Sequence, residues 1–236
     1  QISAGMIGVI SEILPEWGAV IETQGALIQG IWGNGGDGAG ILRTQTSNLD
    51  KALSADELKN IDKGQVIAAG FCSDEKMLTN IIAKEPTGLV LGWIEAELIE
   101  QVTALPFPVI VLQGFGPCTA DQTIFDIFTA RNGNVVCINA GQTDWVTGER
   151  PEVIIPNISD EVEAQLPFRA DLRIGQRVQV LSGQAKGGIF TVQALPEDEV
   201  TLESGLSCRV AVLHSGDDES ISVPRGNVLI VGEQNP

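Results

Sequence analysis

The feature that most constrains this fold is an alternation of apolar runs and amphipathic segments between residues 65 and 139. The central run, Val109 to Leu112, is apolar throughout, which is typical of a strand covered on both faces of a parallel sheet. Similar runs at 65–70, 88–94 and 134–138 are separated by segments with helical periodicity. Because strand-helix-strand units connect by right-handed crossovers, the pattern predicts a four-stranded, mostly parallel α/β layer within a domain of residues 61–144.

The turn after the central strand is a candidate ligand site. Ligands of open α/β sheets bind beyond the carboxyl ends of the strands, which here means Gly114, Phe115 and Gly116. Cys118 follows this turn and precedes a predicted helix, whose N-terminus would lower the pKa of the thiol. Scattered spacing and apolar surroundings favour buried, reduced thiols for the four cysteines, with a reactive thiol at Cys118 as the alternative.

Residues 1–60 predict a small β domain, a barrel or sandwich of short strands. The rhythm of Gly8 to Val20 is similar to the barrel-sandwich fold of biotinyl and lipoyl carrier domains. Asp50-Lys51-Ala52 matches the triplet with the modified lysine in lipoyl domains. Here, however, the triplet precedes a helix capping box of Ser54 and Glu57, so we do not predict lipoylation of Lys51.

Gly33 to Gly38 matches the G-x-G-x-x-G pattern of dinucleotide-binding proteins. That motif functions where the glycine turn leads into a helix, whose N-terminus binds the pyrophosphate. A strand-like run, Gly40 to Thr46, follows here instead. The pattern therefore predicts a glycine-rich loop and no cofactor.

The chain continues through a predicted linker, residues 145–168, into a predicted domain at 169–236. Gly175 to Val192 resembles a KOW motif, the element of SH3-like barrels in transcription elongation factors and some ribosomal proteins. The resemblance implies a five- or six-stranded SH3-type barrel that binds nucleic acid. Phe190 occupies the place of the family's glycine, and the flanks are poor in Lys and Arg, which favours protein docking over nucleic-acid binding.

The net charge of -17, from 14 Lys and Arg against 31 Asp and Glu, opposes binding to phosphate backbones and anionic membranes. No apolar run is long enough for a membrane helix, and the first residues do not resemble a secretory signal. We therefore expect no membrane insertion of this fragment and a cytoplasmic location. The chain begins with Gln1, which indicates that a preceding segment is missing.

No set of residues predicts catalysis or a metal site. His214 is the only histidine, and it lies in a stretch interpreted as a hairpin loop, with no nucleophile or further metal ligands implied beside it. The acidic run Asp217 to Glu219 lacks the spacing of a calcium loop. The sequence thus predicts a protein that is not an enzyme.

Three functional hypotheses remain. The first is a non-catalytic scaffold or adaptor that docks onto protein partners. The second is a nucleic-acid-, ribosome- or polymerase-associated KOW protein, whose binding residues would be Arg173, Arg177, Lys186, Arg209 and Arg225. The third is a small-molecule-binding or carrier module with its site at the Gly114–Gly116 turn. The order of modules is similar to that of multi-domain bacterial proteins in which carrier-like β domains precede such a barrel.

Overall fold

A computed structural model describes residues 6–15, 18–46, 51–117, 122–144, 149–157, 172–202, 205, 207–215 and 220–233. The chain divides into two compact units, one of residues 1–169 with 233–236 and one of residues 170–232. β-strands predominate in both. Within the described ranges, none of the helices has the length and apolar character needed to cross a membrane.

The described part of the first unit contains ten strands, three α-helices and two 3-10 helices. The strands are β1 (Val9–Leu14), β2 (Gly18–Glu22), β3 (Gly25–Gln29), β4 (Trp32–Gly33), β5 (Asp37–Thr44), β6 (Gln65–Cys72), β7 (Gly88–Ile94), β8 (Val109–Phe115), β9 (Val135–Asn139) and β10 (Glu152–Pro156). The α-helices are α1 (Glu75–Ile82), α2 (Ile99–Thr103) and α3 (Gln122–Ala130), and the 3-10 helices are Glu57–Asn60 and Ala96–Leu98.

Eight of these strands form a mixed sheet in the order β3-β10-β9-β5-β6-β7-β8-β4. β5, β6, β7 and β8 are mutually parallel, and the other neighbouring pairs in this order are antiparallel. Only Gly30 and Ile31 separate β3 from β4. Their N–H groups donate to the carbonyls of Pro151 and Val111, at 2.8 and 2.9 Å. The two ends of the strand order are therefore joined directly along the chain, between β10 and β8.

The predicted strands at 65–70, 88–94 and 108–112 are β6, β7 and β8, and they are parallel as expected. The prediction for 134–138 was wrong in direction, because β9 runs antiparallel to β5. α3 ends beside the carboxyl end of β5. Thr44, the last residue of β5, donates from its N–H to Asn132 Oδ1 and from its hydroxyl to the Phe128 carbonyl, both at 3.0 Å. β9 therefore starts at this end of β5 and runs back.

Strand pairing also crosses the predicted domain limits of the first unit. The predicted boundary at 60/61 separates β5 from β6, yet these strands pair from Ile41 to Thr44. The predicted linker, 145–168, includes β10, which pairs with β3 and β9. Residues 153–156 of β10 are buried, because the strand lies between these two neighbours.

The centre of the sheet is buried because its residues are apolar on both faces. All residues of β7 are buried. On one face, α1 and α2 contribute Leu78, Ile81 and Val102 to a core cluster that includes Leu89 and Leu91 of this strand. This is the environment expected from the continuous apolar run.

The capping signal at Ser54 and Glu57 is present in the structure. The Ser54 N–H donates to Glu57 Oε2 at 2.9 Å, and the Glu57 N–H donates to Ser54 Oγ at 3.4 Å, so the predicted capping box is confirmed. It precedes a short 3-10 helix. In α1 the N-cap is Asp74, whose Oδ1 accepts from the Met77 N–H at 2.8 Å.

The second unit contains seven strands in its described residues. They are β11 (Arg177–Val180), β12 (Ile189–Ala194), β13 (Val200–Thr201), β14 (Ser207–Cys208), β15 (Val210–His214), β16 (Ser220–Pro224) and β17 (Val228–Glu233). Five form an antiparallel sheet in the order β16-β15-β12-β11-β17, and β13 pairs with β14. Within the stretch Gly175 to Val192, β11 pairs antiparallel with β12.

Candidate functional site

Gly114 to Gly116 lie at the carboxyl end of β8, but Gly114 and Phe115, which were predicted in a turn after the strand, are its last two residues. Gly114 is buried, with φ 157°, and pairs with Trp93 of β7. The Gly116 N–H donates to the Ile94 carbonyl at 2.8 Å. Phe115 is 40% exposed, and its ring meets Trp32 edge-on at a centroid distance of 6.0 Å. The carboxyl end of β8 thus exposes the ring of Phe115 together with backbone groups. Cys118 lies outside the described residues.

A second aromatic pair lies on the neighbouring strands. Phe71 of β6 and Trp93 of β7 stack with ring centroids 4.0 Å apart and planes at 15°. The sequence reasoning did not identify this pair. A signal was present, because Gly70-Phe71, Gly92-Trp93 and Gly114-Phe115 recur at equal intervals, each near the end of a parallel strand. A register shift between β7 and β8 pairs Phe115 with Ile94 and leaves Gly114 opposite Trp93.

The first hairpin, β1–β2, forms a separate two-stranded sheet. Its base is anchored in the first unit: the Ile7 backbone is hydrogen-bonded to the Cys137 thiol, and Thr23, which follows β2, is 9% exposed. Gly8 is required at this base, since a Cβ there would lie 2.5 Å from the Glu22 carbonyl oxygen. These contacts at its base therefore fix the position at which the hairpin leaves the first unit.

Pairing within the hairpin assigns its side chains to two faces. A register shift between Ile10 and Glu12 indicates a β-bulge. The bulge brings Ile10 and Ile13 to the same face, opposite Ile21 and Ala19 of β2. We call these four residues the isoleucine face. The other side, the mixed face, consists of Val9, Glu12, Leu14, Val20 and Glu22.

Both faces expose large aliphatic side chains. On the isoleucine face, Ile10 and Ile13 are 60% and 73% exposed. On the mixed face, Val9 and Leu14 are 52% and 40% exposed. The charged residues of the two strands are Glu12 and Glu22, and residues 1–42 contain no lysine or arginine. Nothing in the sequence reasoning anticipated this exposed surface, because short apolar runs were interpreted as core strands.

The predicted nucleic-acid-binding residues occupy different parts of the second unit. Arg177, at the start of β11, and Lys186, in the turn before β12, are exposed. Arg173 is partly buried, and its N–H donates to Gln176 Oε1 at 2.7 Å. The structure brings Arg209 and Arg225 together, since the Arg225 N–H donates to the Arg209 carbonyl at 3.1 Å.

Arg225 has a structural role in the second unit. Its Nη2 donates to the Pro196 carbonyl at 2.8 Å, and its Nε donates to the Val210 carbonyl at 3.3 Å. The guanidinium thereby joins the segment after β12 to β15. His214, expected in a loop, is instead the last residue of β15, where it pairs with Thr191 and Ser220.

The described buried cysteines have the character of structural thiols. Cys72 is fully buried, and burial raises the pKa of its thiol to about 11. Burial likewise raises the pKa of the Cys137 thiol, which is 2% exposed. Such thiols remain protonated near neutral pH and are poor nucleophiles.

Two further charged sites have specific environments. Lys51 Nζ lies 2.7 Å from Glu57 Oε1. Burial raises the pKa of the Glu57 carboxyl. Hydrogen bonds that this carboxyl accepts from Lys51 and Ser54 outweigh burial, so the pKa is lowered overall. On β10, burial and the neighbouring Glu149 raise the pKa of the Glu152 carboxyl to about 6.

Within the described ranges, no group of three or more His, Cys, Asp or Glu residues is arranged to hold a metal ion. The predicted surface run Asp217 to Glu219 lies outside those ranges.

No protein-family model matches this chain, and no curated protein sequence matches it. Among solved structures, it is similar to an S-adenosylmethionine: 2-dimethylmenaquinone methyltransferase from Geobacillus kaustophilus. The two chains are 13% identical over 56% of this chain and 89% of the other, with a TM-score of 0.36. We base no inference about fold or activity on a likeness at this TM-score.

Proposed function

We propose that this chain is a non-catalytic adaptor that docks onto a protein partner through the β1–β2 hairpin. The observation behind the proposal is that all six residues of β1 are exposed, although four of them are large aliphatic residues. Contiguous exposed apolar surface in a stable protein marks an interaction site, whereas single exposed apolar residues are common.

The physics of short hairpins supports the same proposal. An isolated two-stranded hairpin is marginally stable in water, and hairpins gain stability by packing an apolar face against another surface. Ile10 and Ile13 are available for such packing. Burial of each isoleucine on a partner would contribute about 1.5–3 kcal/mol, on the scale that applies to core side chains.

In this proposal the two units are supports for the docking hairpin. We take the first as a small β barrel or sandwich merged with the α/β layer, and the second as a KOW-like SH3-type barrel. The close approach of the two ends of the eight-strand order, which are joined through Gly30 and Ile31, supports the first assignment. The five-stranded antiparallel sheet supports the second.

Affinity capture from a lysate tests the proposal. The full chain, the double variant Ile10→Ser/Ile13→Ser and the control Ile174→Ser are immobilised, and each capture is divided into nuclease-treated and untreated halves. Ile174 is a matched control, because it is 67% exposed but lies in the second unit. We expect to recover a partner protein from both the nuclease-treated and the untreated halves. The amount recovered should decrease at least tenfold with the double variant, since each tenfold loss of affinity corresponds to about 1.4 kcal/mol.

Two results would contradict the proposal. Equal recovery of every protein partner by the double variant would show that the hairpin is not the docking surface. Partners lost on nuclease treatment would favour the second candidate, nucleic-acid association through the second unit, for which the exposed Arg177, Lys186 and Arg209 are the supporting observation.

A further inference from the structure

We infer that the β1–β2 hairpin inserts into an aliphatic cleft of a partner protein whose rim is lined with lysine or arginine. This inference rests on the proposed docking function and specifies the partner's surface. It follows from three properties of the hairpin: the distribution of its aliphatic side chains, its size and its charge.

Exposed aliphatic residues occur on both faces. A partner that covered only the isoleucine face would leave Val9 and Leu14 in water, at 52% and 40% exposure. A partner that covered only the mixed face would leave Ile10 and Ile13 exposed to an even greater degree. Two opposing apolar walls bury both pairs, and this arrangement defines a cleft.

The size of the hairpin leads to the same conclusion. Six residues at about 3.4 Å each give a strand about 20 Å long, and two strands make a ribbon about 10 Å wide. One face therefore covers roughly 200 Å², whereas a stable interface buries about 800 Å² per partner. A second copy stacked on one face would bury too little area, while a cleft that surrounds both faces and the strand edges buries several times more.

Charge determines the chemistry of the rim. Glu12 and Glu22 both lie on the mixed face, each opposite a valine of the other strand. Because each strand of a two-stranded ribbon has a free edge, both carboxylates can extend past that edge to the margin of the contact, where a lysine or arginine can pair with them. A second copy would instead offer two more carboxylates on a chain of net charge -17. The surface complementary to the hairpin is consequently basic at its rim and belongs to a different protein.

Photo-crosslinking tests the two walls. A benzophenone amino acid replaces Ile13 on the isoleucine face or Leu14 on the mixed face of the full chain, with replacement of Ile174 as the control. Each variant is irradiated in lysate, and crosslinked peptides are identified by mass spectrometry. We expect both hairpin positions, and not the control, to crosslink to different segments of one partner chain.

Titration with that partner, once purified, tests the rim. We expect Glu12→Gln/Glu22→Gln to weaken binding about tenfold at low salt and less at high salt, because exposed ion pairs are screened. The matched control, Glu97→Gln/Glu100→Gln, removes two exposed carboxylates near α2 and should leave the affinity unchanged.

The outcomes separate this inference from the docking function. Three results would overturn the basic cleft and leave hairpin docking intact. They are crosslinks to a partner from one face only, crosslinks to a second copy of the chain, and unchanged affinity of the Glu12→Gln/Glu22→Gln variant. Absence of crosslinks from both positions, together with capture that does not depend on Ile10 and Ile13, would overturn both.

Discussion

β1 and β7 are built from similar residues and lie in opposite environments. Val9–Leu14 contains a valine, two isoleucines and a leucine, and all of its residues are exposed. Gly88–Ile94 contains two leucines, a valine and an isoleucine, and all of its residues are buried. The difference is in the number of neighbouring elements. β7 lies between β6 and β8 with helices on one face, whereas among the residues that the structure describes β1 pairs with β2 alone. An aliphatic strand thus forms core or binding surface according to what covers it.

The largest expected effect is in the buried strand. Leu91→Ala removes a fully buried side chain from the core cluster, so we expect a loss of about 2–5 kcal/mol in the free energy of unfolding. Urea unfolding followed by circular dichroism measures it. A loss below about 1 kcal/mol would mean that β7 lies in a loosely packed region and would weaken the contrast with β1.

A charged residue in the buried sheet sharpens the comparison. The pKa of Glu152 is raised from 4.5 to about 6, so the folded state disfavours its ionised form. Its contribution to stability is most favourable below about pH 4.5, decreases as the pH rises to 6 and is then constant. We expect Glu152→Gln to stabilise the protein at pH 7.5 by roughly 1–2 kcal/mol, from the 1.36 kcal/mol that corresponds to one pKa unit.

Thermal unfolding at pH 4 and pH 7.5 checks this prediction. The gain from Glu152→Gln should nearly vanish at pH 4, where the carboxyl is largely protonated in both the folded and the unfolded state. Glu12→Gln, on the exposed hairpin, is the control and should not alter stability at either pH. Equal gains in stability for Glu152→Gln at both pH values would show that the effect comes from side-chain volume or hydrogen bonding and not from ionisation.

The smallest expected effect concerns the isolated, exposed hairpin. Ile13→Ala should change the free energy of unfolding by no more than about 0.5 kcal/mol, because the side chain is 73% exposed and makes little core contact. Urea unfolding of the isolated protein, beside Leu91→Ala, provides the measurement. A loss comparable to that of Leu91→Ala would show that Ile13 belongs to the core and would remove the basis of the docking proposal.

Patterns within short stretches predicted much of the fold. The continuous apolar runs of β6, β7 and β8 indicated buried parallel strands. The Ser54 and Glu57 capping box was evident because its partners are three residues apart. Of the candidate site residues, Gly114 to Gly116 lie at the carboxyl end of β8, although Gly114 and Phe115 belong to the strand and not to the turn that the glycines predicted.

What local patterns did not predict depends on contacts between distant residues. The direction of β9 follows from the contact of Thr44 with Asn132, 88 residues later in the chain. The structural role of Arg225 depends on a carbonyl at Pro196, which no spacing rule associates with it.

By itself, the sequence determined most of the strands and helices, because backbone propensity and side-chain periodicity act over a few residues. Tertiary structure decided which strands are neighbours, in which direction β9 runs and which aliphatic residues remain in water. The physical reason is that burial is a property of the whole packed chain. The exposure of Ile10 and Ile13 depends on the absence of a third strand or helix beside β1 and β2 among the described residues, and a run of residue types does not specify this.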